Sequence, residues 1–310
     1  MNHMKNIIIK TISAAILCST LLGCGKDSFD KPDYYTLTAS TEFGQQIVDG
    51  SGNCITHVKT DNETRLMDGV TLLDMGWLNS ASHAMQMFVY KVELAPAMIK
   101  VSTPDNAGKV EKTQKMTEQA MAIENKGTYL VMGGISGSAF KAEAGTPEGI
   151  LYSNGKAISS KMGKDGAFFA IMKDGAAVCL EAEEYESRKS KITEGMSGPA
   201  MILKNGYVLA ESDAKETART AVGVDESGST VFMVAVDGGD FFYSNGISSG
   251  AMAHILKGCG AHNAILLNTG DNVTAFYRNE NSVDLFEVIN KPSNMGLEEE
   301  VGNGLVIVQY

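Results

Sequence analysis

The residues able to do chemistry gather in the C-terminal half of the chain. Arg219-Thr220-Ala221-Val222-Gly223 begins an apolar run, and a guanidinium there suits bidentate binding of a phosphate or a carboxylate. Asp237 closes the most apolar run of the sequence and is followed by Gly238-Gly239-Asp240. A carboxylate at a strand end beside glycines can face a cleft that a ligand's backbone or a sugar approaches closely. Leu266-Leu267-Asn268-Thr269-Gly270-Asp271-Asn272-Val273-Thr274 is a further strand running into a Gly- and Asn-rich turn. Each segment alone is most simply a turn; their order makes them informative together. The expectation is that they meet in one pocket, with Arg219 and Asp237 on its walls.

Other patterns carry less. Gly246-Ile247-Ser248-Ser249-Gly250 matches the G-x-S-x-G nucleophile elbow and precedes a helical pattern. That chemistry needs an acid and then a histidine downstream, yet no Asp or Glu lies between Ser248 and the last histidine, His262. His57, His83, His254 and His262 show no ligand spacing, and Asp225-Glu226-Ser227-Gly228 reads as a hairpin turn. Of five cysteines, Cys18 and Cys24 belong to the N-terminal segment; Cys54, Cys179 and Cys259 lack C-x-x-C spacing. No zinc site is indicated, and at most one disulfide among the three. No metal and no cofactor are expected.

Read as a series, the segments resemble the phosphodiester glycosidase family from about Gly69 to Tyr310. The resemblance rests on Ser136-Gly137-Ser138-Ala139-Phe140, Pro147-Glu148-Gly149, Gly198-Pro199-Ala200-Met201, Arg219 to Gly223 and Val236-Asp237-Gly238-Gly239. It continues through Gly246-Ile247-Ser248, Leu267 to Val273, Lys291-Pro292-Ser293 and Val301-Gly302-Asn303-Gly304-Leu305. It implies hydrolysis of a sugar joined through its anomeric carbon to a phosphodiester. The implied catalytic set is Asp237, Arg219 and Asn268. The implied substrate contacts are Thr220, Ser136, Ser138, Gly238, Thr269, Gly270, Asp271 and Thr274.

The departures from the family pattern fall on polar positions. Ser136 stands for the family's Asn, Ser138 for an acid, Gly239 for an Arg, and Asn268 for an acid. Framework glycines and apolar positions are mostly kept while charge is diluted. Cleavage of a glycosyl phosphate passes through an oxocarbenium-like state that carboxylates support, and its leaving group is already anionic. Asn268 can bond a sugar hydroxyl but cannot take a proton. Asp237 is therefore the expected base, Arg219 the phosphate holder and Asp271 the stand-in acid. A second reading keeps the cleft as a binding site for sugars or sugar phosphates without turnover.

The elements that must position these residues are mostly strands. Short apolar runs separated by Gly, Asn and Asp recur at 87–94, 97–103, 128–134, 166–172, 199–209, 229–237 and 304–310. Asn205-Gly206 marks a tight hairpin. Helical periods occur at 111–125, with Met116, Ala120, Met121 and Ile123 inward, and at 248–258, with Met252, Ile255 and Leu256 inward. Ser248 is the expected N-cap of the second, and Gly258 and Gly260 its end. The fold class is α+β: β-rich mixed sheets, about two main helices, one domain over 49–310.

The 310 residues are 44% apolar and 20% charged, an ordinary globular balance. A net charge of −11 argues against nucleic acid as a partner, since phosphate-backbone affinity needs clustered Lys and Arg. Residues 1–23 read as an export signal: Lys5 and Lys10 precede an apolar run from Ile12 to Leu22, too short for a permanent span. Leu21-Leu22-Gly23-Cys24 resembles a lipobox, so Cys24 is the expected lipidation site, followed by a polar tether over 24–48. The expected location is the cell envelope, at the outer membrane, on its periplasmic or extracellular face, with the membrane met only through the lipid anchor.

Overall fold

The computed structural model describes residues 38–209 and 213–310. Cys24 and the export signal lie outside these residues. Eight strands form the central sheet, in the order His57–Met67, Val70–Leu78, Ala84–Glu93, Thr230–Val236, Arg219–Val224, Asn263–Thr269, Met201–Lys204 and Tyr207–Val208. A five-stranded sheet orders Ala177–Glu181, Ala167–Met172, Ile192–Gly198, Ile150–Ser153 and Lys156–Ser160. Another orders Phe286–Val288, Ala275–Arg278, Leu130–Ser136, Gly304–Gln309 and Met98–Ser102. Ladders form where β-branched and aromatic runs such as Val-Phe-Met-Val-Ala-Val end in Gly, Asn or Asp. The sheets are not mixed as expected: every pairing among the described strands is antiparallel.

Both faces of the central sheet's middle strands are buried. One face packs on the two smaller sheets, with Val222, Met233, Ala235, Ile265 and Leu267 meeting Phe169, Met196, Ile135 and Leu305. The other carries Ala221, Val234, Val236 and Leu266 against helices. Burial on both faces explains why these strands read as continuous apolar runs rather than as alternating ones.

The described residues hold four α-helices rather than two: α1 (Glu42–Gly50), α2 (Met116–Glu124), α3 (Tyr185–Arg188, a single turn) and α4 (Ser249–Cys259). α4 follows its sequence signals, with the Ser248 hydroxyl accepting from Ala251 N and Gly260 left-handed at φ 104°. Gly258 lies inside α4 rather than ending it. α2 is shorter than its period suggested, and Met121 is exposed while Gln119 takes the buried position. Gln119 is held there by bonds with Ser102 Oγ and the carbonyls of Gln114 and Val301. α1 falls where a tether was expected. Thr41 caps it, Phe43 and Ile47 are buried, and Asp61 accepts from Ser40 N and Thr41 N at 2.7 Å each. The Asn205-Gly206 hairpin forms as read, both residues having positive φ.

Candidate active site

Pleating decides which side chains can meet. Arg219 pairs with Val236 and Thr220 with Ala235, and paired residues share a face. Val236 belongs to the helix-side core and Ala235 to the core between sheets. Arg219 therefore points to the helix side, whereas Thr220 and Asp237 point to the inter-sheet side.

This corrects the expected role of Arg219. Its guanidinium is 1% exposed, with Nε donating to Ile247 O at 2.7 Å and Nη2 to Asp213 Oδ2 at 2.6 Å and Lys215 O at 2.9 Å. That bond from Arg219 holds the Asp213 carboxyl below its usual range. The guanidinium fixes the loop before the strand to the loop before α4. It lies on the face opposite Asp237, with Nε and Nη2 spent on groups of the protein itself.

Asp237 does converge with the 268–274 turn. It is 1% exposed; Oδ1 accepts from Asn290 Nδ2 at 2.8 Å, and Oδ2 from Lys291 N at 2.8 Å and the Tyr243 hydroxyl at 3.1 Å. Burial pushes its carboxyl up to about 6, while the Lys291 amide, Asn290 and Tyr243 restrain that rise. The same Asn290 amide donates to Val273 O at 3.0 Å, and Asn290 Oδ1 accepts from Ala275 N at 2.7 Å. One asparagine thus ties the acid to the turn. Gly238 must follow Asp237 because a Cβ there would sit 2.3 Å from Ala218 N.

The other predicted residues divide by position. Thr220 Oγ1, fully buried, accepts from Asn268 N at 3.1 Å. Thr274 N donates to Ser136 Oγ at 3.1 Å, and Ser136 N donates to Thr274 O at 2.9 Å. Ser138 is bound to Asn303 Oδ1 through both its amide and its hydroxyl. Gly270 N bonds Ala218 O, and Thr269 is exposed with its amide on Asn268 Oδ1. Asp271 is exposed on the turn and takes no part in the buried network, so its assignment as stand-in acid has no geometric support. Two buried polar atoms on this face have no partner among the described residues: Asn268 Nδ2 and Thr274 Oγ1. Unsatisfied buried groups are rare, so these two single out this part of the molecule.

Sequence reasoning missed Asn290, Tyr243 and Asn303 as polar contributors. Tyr243 follows Asp237 by six residues in an aromatic run, which is a usable signal; Asn290 and Asn303 are brought in only by sheet pairing. Beside Ser138, Ala139 with Glu148, Gly149, Ser197, Gly198 and Pro199 walls a hollow of about 290 Å³. Lys291 is exposed, its ammonium 2.6 Å from Asp240 Oδ2 and 5.4 Å from the Tyr243 ring centroid. Cys54, Cys179 and Cys259 are unpaired, and burial raises each thiol.

These features fall within a segment with known relatives. The phosphodiester glycosidase family profile matches residues 129–308. The bovine (Bos taurus) N-acetylglucosamine-1-phosphodiester alpha-N-acetylglucosaminidase is 31% identical over 159 residues, 45% of this chain and 30% of that protein. The mouse (Mus musculus) protein of that name is 28% identical over 194 residues, 56% of this chain and 36% of its own length. The chain thus spans about a third of the length of these curated relatives. Among solved structures, the zebrafish N-acetylglucosamine-1-phosphodiester alpha-N-acetylglucosaminidase catalytic domain, auto-inhibited by its pro-peptide, has a TM-score of 0.61 at 19% identity, covering 76% of this chain and 81% of that one. A hypothetical protein from Synechocystis has a TM-score of 0.60 at 11% identity, covering 81% and 64%. The shared β-rich architecture and the family match over more than half the sequence agree: this chain belongs to the phosphodiester glycosidase family.

Proposed function

We propose that this protein hydrolyses the bond between a sugar's anomeric carbon and a phosphodiester, with Asp237 as general base. The observation that carries this reading is the buried Asp237 carboxyl, raised to about 6 and tied through Asn290 to a turn with two unpartnered polar atoms. A base with that affinity is ionised at neutral pH yet still takes a proton readily. Water attacks the anomeric carbon, its proton passes to Asp237, and the carbon–oxygen bond to phosphate breaks. The phosphate departs as an anion and needs no strong acid. Asn268 Nδ2 and Thr274 Oγ1 are the groups available for sugar hydroxyls.

Lys291 takes the cationic part left empty by Gly239. Its amide holds Asp237, its ammonium lies on the exposed side, and Ser293 Oγ is 3.6 Å from where a Cβ on residue 239 would sit. Tyr243, 3.1 Å from the carboxylate, is the group whose displacement admits water.

The exposure of Asp271 and the amide at 268 favour a second reading, in which the site binds sugar phosphates without turnover. Hydrolysis of N-acetylglucosamine 1-phosphodiesters separates the two. Turnover by the natural chain that disappears in Asp237→Asn supports the hydrolase. An inert natural chain, together with turnover in an Asn268→Asp, Gly239→Arg double variant, supports the binding protein. Anchoring at Cys24 to the cell envelope is proposed alongside, since the lipobox-like sequence supplies its only support.

A further inference from the structure

The G-x-S-x-G segment has no nucleophile chemistry, yet it helps to enclose a hollow on the helix side of the central sheet, the face opposite Asp237. This hollow, about 170 Å³, is walled by Trp77, Met85, Glu216, Ile247, Ser248 and Ala251 among others. Trp77 and Met85 precede the segment matched by the family profile. The Trp77 indole is 2% exposed, and its Nε1–H has no acceptor among the described residues. A buried donor left without an acceptor forfeits a hydrogen bond, which is seldom tolerated unless something else fills the place.

The wall also carries a fixed acceptor. Glu216 is half exposed and held from behind, with His83 Nδ1 3.0 Å from Oε2 and Asn79 Nδ2 3.4 Å from Oε1. Asn79 is itself fixed, its Oδ1 accepting from the amides of Ala81 and His83. Arg219 braces the same wall through Lys215 O and Ile247 O. The indole N–H, the Glu216 carboxylate and the polar groups of Asn79, Ser80 and Ser248, set among the apolar side chains of Met85, Ile247 and Ala251, fix the chemistry of an occupant. An anion would be repelled by Glu216. A hydroxyl can accept from the indole and donate to the carboxylate. The space equals roughly six waters at ~30 Å³ each, room for one sugar ring or a smaller polyol.

We propose that this hollow is a second binding site, distinct from the Asp237 cleft, for a small neutral hydroxylated molecule such as a monosaccharide. It does not depend on hydrolysis at the Asp237 site.

Trp77 is the only tryptophan in the chain, so its emission reports on this site alone. Titrating the full chain with glucose, N-acetylglucosamine and glycerol should produce a saturable change in emission. Glu216→Gln, at a half-exposed position, should weaken binding about tenfold by removing a charged acceptor. Ala251→Leu should abolish it by filling the space. Asp237→Asn should leave it intact. The proposal is overturned by an emission unmoved by any of these probes in folded protein, or by equal affinity in Glu216→Gln. It is also overturned by a signal lost in Asp237→Asn but kept in Glu216→Gln, or by a response to ethanolamine without a response to the neutral probes.

Discussion

Asp237 and Arg219 lie close in the pairing register yet do opposite work. Desolvation raises the Asp237 carboxyl from 3.8 to about 6, so the folded chain holds that proton more tightly than the unfolded chain. The group's stabilising contribution is full below about pH 4 and is lost as pH rises to about 6, a change on the order of 3 kcal/mol. Denaturant titrations across that window should show this slope in the natural chain and its absence in Asp237→Asn. The same substitution should lower hydrolysis about 10²- to 10⁴-fold. Arg219 predicts the reverse pattern. Arg219→Ala strips donors from Ile247 O and Lys215 O and should cost about 2 to 4 kcal/mol in a thermal or urea melt. Arg219→Lys should lose part of that stability, because one ammonium cannot reach three acceptors, yet leave kcat/KM nearly unchanged. A collapse of kcat/KM in a folded Arg219→Lys protein would return the guanidinium to the catalytic site.

At the scale of elements, α1 and α4 approach so closely that a Cβ on Gly258 would lie 2.7 Å from Ile47 O. Gly258→Ala should therefore destabilise by about 1 to 3 kcal/mol despite alanine's helical preference. Gly108→Ala, with nothing within 4 Å, should stay within about 0.5 kcal/mol, and comparing the two melts checks the helix contact. The same elements show what local sequence can convey. α4 was legible because its cap, apolar stripe and terminal glycine all lie within a dozen residues. α1 was not, since nine residues with two inward apolar side chains, Phe43 and Ile47, give too short a period to separate from a polar linker. The strands were legible as runs, but their facing was not. Whether Arg219 and Asp237 share a face depends on the pairing of Arg219 with Val236, and that register is set by residues far away in the chain. Asn290 joins Asp237 to the turn across 53 residues for the same reason.

At the scale of the whole molecule, the three larger antiparallel sheets and their helices bury the acid while leaving Lys291 and the 269–271 turn at the surface. The order of the apolar and glycine-marked segments was legible along the chain while the work of its polar residues was not, so the fold was far easier to read than the activity. The proposed lipidation belongs to this scale as well. Palmitate should label the natural chain and not a Cys24→Ala variant; equal labelling of both would remove the anchor. The most direct measurement of the central claim is kcat/KM against pH for an N-acetylglucosamine 1-phosphodiester, with the natural chain and Asp237→Asn side by side. Asp237 as base predicts a rate that climbs as its carboxyl ionises near pH 6 and then levels, with that limb missing in the variant. An unchanged profile in Asp237→Asn, or no turnover by the natural chain at any pH, would contradict it.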